Sequence, residues 1–202
     1  MKKTHFSYTL LLSAFILSVI CCFSSCSASN DERDKSTVDV GSVNGTGISA
    51  AETDYYLPQL RSSVISLFTQ KYNTAYDKTF WQTEFDGITP EEYLFDKAFD
   101  KAADSKLKLT LCKEFGLFDD ISFAALKEKA EKFNKNNEGK KTVGITSIDM
   151  NVFYDYYVSN GVLALQNTLV DKGVIADRSD FDEWYGTKKA TAEIKKFQRN
   201  GK

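Results

Sequence analysis

The sequence predicts a mainly α-helical domain of about five helices, with a short β-strand and turn at its N-terminal end. Three observations carry this. Ser49-Ala50-Ala51-Glu52 and Thr89-Pro90-Glu91-Glu92 both read as capping boxes, in which a hydroxyl takes an orphan amide and the glutamate reaches back to the cap. Behind each box, apolar side chains recur at spacings of three and four, the helical period. Upstream, Val38 and Val40 alternate before Asn44-Gly45, a pair suited to positive φ, so a strand and a turn precede the first helix.

The first helix is predicted from Ser49 to about Tyr72. Leu57, Leu60, Val64 and Leu67 form one stripe, widened by Tyr56, Phe68 and Tyr72. Pro58 lies inside it and is expected to kink it, because the ring removes an amide donor and crowds the preceding turn. The loop "NTAYDKTFWQTEFDGI" follows, and its aromatics call for either a core or a ligand, the core being the simpler expectation. The second helix opens with Pro90 at its first position and runs for about 25 residues. Leu94, Ala98, Ala102, Leu109 and Cys112 share one face, Phe95 and Phe99 flank it, and Gly116 supplies a left-handed stop.

A third helix reads through Phe123, Leu126, Ala130 and Phe133 until "NKNNEGKK" breaks it. Gly139-Lys140-Lys141-Thr142 is no phosphate loop, because Asn134 stands where the first glycine belongs and Lys141 where Ser or Thr belongs. From about Ser147 a fourth helix carries Phe153, Tyr156, Tyr157, Val162, Leu165 and Leu169, with Gly161 as a weak point in its middle. A fifth is expected from Ser179, with Asp182 at the capping-box position, followed by the solvated basic stretch "KKATAEIKKFQRNGK". Asp180, Asp182 and Glu183 are read as first-turn acids that complement the helix dipole rather than as a calcium site.

The N-terminal stretch has the layout of an export signal. Lys2 and Lys3 precede an almost uncharged run from Tyr8 to Phe23, and small residues follow. The run is at or below the roughly 17 residues that cross a bilayer, which argues against a permanent transmembrane helix. Phe23-Ser24-Ser25-Cys26 resembles the lipobox of bacterial lipoproteins, although that family favours Leu at the position of Phe23 and Gly or Ala at that of Ser25. Cys21 and Cys22 follow bulky side chains and are weaker candidates. The reading is cleavage after Ser25 and lipidation of Cys26, with residues 1–25 as signal, 26–37 as a flexible tether and 38–202 as the helical domain. A diacyl anchor meets the two-chain requirement for stable membrane attachment.

With the signal removed, the chemistry that remains is restricted. The only histidine is His5, and the cysteines reduce to Cys26 and Cys112. Ser-His-Asp and Cys-His catalysis, histidine-based metal sites and an intramolecular disulfide are therefore not expected. Cys112 sits among apolar neighbours at helical spacing and reads as core. The 26 basic residues lose Lys2 and Lys3, leaving 24 against 28 acids and a charge of −4. Basic residues are also scattered, so no nucleic acid is expected as a partner. No cofactor or metal site is read.

"VGSVNGTGISAAETDYYL", "QKYN", "FWQTEFDGITPEEYLFDKA", "EFGLFDDIS" and "FYDYYVSN" together resemble the N-terminal helical domain of the SurA and PrsA class of extracytoplasmic foldases. The chain is more closely similar to prolyl-isomerase-related lipoproteins of Gram-positive bacteria. The likeness spans Val40 to Asn160, and Val43-Asn44-Gly45 before Ile48-Ser49 is its most specific local piece. It implies a helical cradle, on the outer face of the cell membrane, that holds unfolded or newly exported polypeptides by apolar and aromatic contact. Members with isomerase activity carry a parvulin domain of about a hundred residues, with active-site histidines. Only "DKGVIADR" separates the last two expected helices here, so a parvulin reaction is not expected and the reading leans away from an enzyme.

Two function classes follow: a membrane-anchored holdase, and a non-catalytic scaffold lipoprotein that docks one envelope partner. Aromatic residues make up 13% of the chain, which favours an apolar face left open for binding. Tyr55, Tyr76, Trp81, Phe85 and Tyr154 are the candidate client-binding residues. For the anchor, Cys26→Ser is expected to release the protein from membranes or leave it unprocessed, whereas Cys21→Ser and Cys22→Ser are not. Membrane fractionation with N-terminal sequencing checks this, and a normally trimmed, membrane-bound Cys26→Ser protein would refute it.

Overall fold

The computed structural model describes residues 34–139 and 146–198. The expected signal with Ser25 and Cys26, the first part of the expected tether, and Lys140 lie outside the described residues. The fold is mainly helical, with a small sheet contributed by both ends of the described chain. Strands β1 (Asp39–Val43) and β2 (Thr46–Ser49) form an antiparallel hairpin. Asn44 and Gly45 take φ of 47° and 78°, the left-handed pair such a tight turn requires. Helix α1 (Ala50–Tyr72) starts from the expected capping box: Ser49 Oγ accepts from the Glu52 amide, and the Glu52 carboxylate accepts from the Ser49 amide at 2.9 Å. Pro58 lies inside this helix, which is continuous from end to end.

A 3-10 turn (Phe80–Gln82) and an Asp86-Gly87 turn between the bridged residues Phe85 and Ile88 lead into helix α2 (Pro90–Glu114). Its Thr89–Glu92 capping box forms as predicted, and Gly116 takes φ of 75° just beyond its end. Helix α3 (Phe123–Asn137) and helix α4 (Met150–Asp171) follow, capped by Ser122 and Asp149.

The last helix corrects the sequence reading. Asp177, not Ser179, makes the capping box, and it does so for a 3-10 turn (Arg178–Asp180) that runs into helix α5 (Phe181–Thr191). Asp180 accepts the Ala176 and Asp177 amides, so this carboxylate is committed to holding the turn. The basic stretch that follows is also more than a solvated face, because Ile194–Lys196 forms strand β3 against β1. The sheet order is β2-β1-β3.

Helix α2 is the hub. Between Ala102 and Cys112 only Asp104 and Lys108 are not buried, so this segment is enclosed on nearly all sides. One core joins Val43 and Ile48 of the hairpin to Phe99, Leu107 and Leu111 of α2, Leu165 and Leu169 of α4, and Phe181 and Tyr185 of α5. A second holds Tyr55, Leu109, Leu126 and Tyr154. A third packs Val64 and Phe68 of α1 with Phe80 and Leu94.

Several predicted stripe positions move. Leu67 and Tyr156 are exposed, Leu57 and Leu60 only partly covered, and Phe133 lies at the surface. Gly161 is not a weak point but a contact: a Cβ there would meet the Phe118 ring at 2.8 Å and Cys112 Sγ at 3.2 Å, so α4 approaches as closely as it does because the side chain is missing. The fold also begins earlier than Val38. The Lys35 carbonyl accepts the Ala51 amide at 3.0 Å, Ser36 is buried, and Asp34 pairs with Lys127 at 3.1 Å. Residues 34–37, expected as part of the tether, are therefore held in the described fold.

At the meeting point of α1, α2 and α4 lies a fully buried ion pair, Lys106 Nζ to Glu52 Oε1 at 2.7 Å. Tyr154 donates its hydroxyl to the same oxygen at 3.3 Å, and Lys106 also donates to the Ile121 carbonyl at 3.1 Å. Lys106→Met is expected to destabilise the protein by about 3–5 kcal/mol, because it strands a buried carboxylate. Adding Glu52→Gln is expected to restore part of that loss, as read by urea unfolding of the single and double variants.

Candidate functional site

Helix α1 presents its central turns to solvent because its two ends are held elsewhere. The N-terminal end is fixed by the capping box and the Glu52–Lys106 pair, and the C-terminal end by the aromatic cluster around Phe68. Between them Pro58 and Arg61 are exposed. Pro58 has no amide hydrogen to offer the carbonyl of Asp54, so the helix has an unspent acceptor where it faces water.

Grooves run along either side of this stretch. The first, about 470 Å³, lies between α1, the 3-10 turn and the start of α2, and is lined by Leu57, Pro58, Arg61, Trp81, Leu94 and Phe95 among others. The second, about 440 Å³, lies between α1, α3 and the start of α4, with Pro58, Tyr55, Phe123, Ala130 and Met150 on its walls. Pro58 lines both, so a chain crossing α1 at this point would touch the two in succession. The second groove is edged by two ion pairs, Lys35–Asp54 at 2.7 Å and Asp34–Lys127 at 3.1 Å.

The five predicted aromatics separate into two groups. Tyr154 is fully buried, packed edge-on to Tyr55 at 5.1 Å, and its hydroxyl is raised well above its ordinary value by burial and by the Glu52 charge. Tyr55 is buried as well, and burial together with Asp155 pushes its hydroxyl up to about 12. Tyr154 is closed to a client, which corrects the sequence reading, and Tyr55 reaches the surface only as part of the second groove's wall. Phe85 is partly covered, stacked on Tyr72 at 4.8 Å and against Phe68. Trp81 is also partly covered, and Tyr76 is 53% exposed.

Tyr76 and Trp81 stay at the surface as one unit. Their rings meet edge-on at 6.4 Å, and the Arg61 guanidinium lies 4.3 Å from the Trp81 ring centre, a cation–π contact. Arg61 and the Trp81 indole both donate to the Tyr76 hydroxyl oxygen at 3.4 Å. These two bonds lower the Tyr76 hydroxyl below its ordinary value, the indole contributing more. Arg61 was not singled out from sequence. The signal that could have found it is its position four residues after Leu57 and three before Val64, where a charged residue interrupts the predicted apolar stripe.

Nothing in this arrangement supplies a nucleophile with a base beside it. Cys112 is fully buried, and burial pushes its thiol up to about 12, so it stays neutral and enclosed at physiological pH. Among the described residues no group of three or more His, Cys, Asp or Glu side chains could hold a metal ion. No helix of the described residues is long and apolar enough to cross a membrane. No family model, curated protein or solved structure matches the chain. The first groove offers mainly apolar contact with Arg61, Gln82 and Glu91 among its lining, and the second mixes apolar side chains with as many polar and charged ones, such as Asp54, Lys127 and Asn134.

Asp34 ties the start of the fold to the rim of the second groove. Hydrogen bonds from Ser36, with Lys127 beside them, hold its carboxyl down from 3.8 to about 2. A depressed carboxyl contributes stability that is present above its unfolded value and lost as pH falls through its folded one. Wild type is therefore expected to lose more stability than Asp34→Asn between about pH 4 and pH 2, as read by urea midpoints at several pH values. Parallel pH profiles would refute the contribution.

Proposed function

We propose that this chain is a membrane-anchored extracytoplasmic holdase that binds unfolded or newly exported polypeptides without isomerase chemistry. The observation that carries the reading is the pair of grooves that share Pro58, on a helix held at both ends. Burial of apolar area is non-directional and tolerates many client sequences, which suits open grooves better than an enclosed pocket would. The frame around them is built on buried cores and two capping boxes, so the face exists before a client arrives and little ordering cost falls on the protein. The export signal and Cys26 lipobox support the location, and the likeness to the SurA and PrsA class supports the client type.

Tyr76, Trp81 and the rims of both grooves carry the binding, with Phe85 as backing for them. Tyr55 and Tyr154 hold the scaffold. The full chain in detergent micelles is expected to suppress aggregation of an unfolded test protein at near-stoichiometric ratios without speeding its proline-limited refolding phase. Tyr76→Ser with Trp81→Ser is expected to weaken that suppression and leave the helical circular dichroism signal unchanged. Strong acceleration of the proline-limited phase would overturn the reading. Absence of both effects, with capture of one folded envelope protein, would replace it by the scaffold.

A further inference from the structure

Within the first groove the polar groups do not balance. The Arg61 guanidinium is exposed and forms no ion pair among the described residues. The Tyr76 oxygen accepts from Arg61 and from Trp81, and its own O–H has no acceptor among the described residues. Arg61 thus brings an unpaired positive charge to the edge of an apolar surface formed by Leu57, Pro58, Leu94 and Phe95, with Tyr76 beside it and outside the groove lining. The guanidinium is held against the Trp81 face at 4.3 Å, so part of its side-chain entropy is already spent before any anion arrives. Glu91, also lining the groove, forms no ion pair with Arg61 and stands in the first turn of α2, where the helix dipole favours it.

We infer that this groove selects apolar polypeptide segments that carry an acidic side chain, whose carboxylate is received by Arg61 and Tyr76. The inference rests on the holdase reading and specifies its client class. A guanidinium offers several donors in a fixed fork that matches a carboxylate, and the Tyr76 hydroxyl adds another from the side. The flanking apolar side chains lie along Leu57, Leu94 and Phe95. The carboxylate belongs to an internal Asp or Glu rather than to a chain end, because Pro58 also lines the groove on the far side of α1, so a segment laid across the helix there would meet a second surface. Glu91 works against binding of such a client and sets an upper limit on it.

The test uses the full chain in detergent micelles and fluorescent capped peptides of Leu, Phe and Ser with a central Glu, Gln or Lys. At low salt the Glu peptide is expected to bind about three- to fivefold more tightly than the Gln peptide, and the Lys peptide more weakly than both. Raising salt to about 0.5 M is expected to erase the preference. Arg61→Gln is expected to abolish it, bringing the Glu and Gln peptides to within about twofold of each other, and Arg61→Lys to restore part of it. Tyr76→Phe is expected to reduce the preference and Glu91→Gln to enlarge it. Equal binding of the Glu and Gln peptides would overturn the acidic selectivity and leave the holdase standing, whereas absence of binding by every peptide would overturn both. A preference that survives Arg61→Gln, or one shown only by a Gln peptide with a free C-terminal carboxylate, would also overturn the inference.

Discussion

The buried contact between Glu52 and Lys106 is the constraint around which the domain is arranged. Taking both charges out of water is costly, and their attraction offsets that cost only if the remaining valences are filled. They are filled from three directions. Glu52 accepts from the Ser49 amide and hydroxyl, from Lys106 and from Tyr154, while Lys106 also donates to the Ile121 carbonyl. The capping glutamate of α1 is therefore also the acceptor that positions α2 and α4 and the connector before α3. A residue that would ordinarily only close a helix end here sets the relative placement of most of the fold.

Around that point α2 behaves as an internal axis. Its flanks meet the hairpin, α1, α4 and α5, and its one cysteine and the glycine of α4 pack face to face. Burying each large aliphatic side chain contributes about 1.5–3 kcal/mol, so an axis covered on nearly every side concentrates the domain's cohesion there. Strand β3 adds a closure that links chain ends: Asn44 exchanges hydrogen bonds with Glu193, and β3 lies on β1. With cohesion concentrated on α2, the outward side of α1 carries little of it and is left to solvent.

That division explains the distribution of aromatics. Tyr154 supplies its hydroxyl to the buried Glu52, and Tyr55 packs its ring edge-on against Tyr154. Rings in the loop after α1 instead fold back on that helix as a cluster, with Phe80 at 2% exposure beneath and Tyr76 and Trp81 outside it. The result is an apolar surface with Arg61 at its edge.

The sequence by itself determined the local events. The starts of α1 and α2, the Asn44-Gly45 turn and the Gly116 stop all follow from interactions within a few residues, which act the same way whatever lies across the fold. The interiority of Cys112 and Leu109 was legible too, since an apolar stripe must be covered by something. What covers it was decided only by the tertiary structure. No local pattern distinguishes Lys106, buried to 1% exposure, from the solvated lysines beside it, because its partner lies over fifty residues away. The same holds for Tyr154, for β3, and for the partial exposure of the expected α1 stripe. A helix enclosed on nearly every side keeps only a narrow polar face, here Lys97, Asp100, Lys101, Asp104 and Lys108, and a lysine buried away from that face is identified by the charge that meets it.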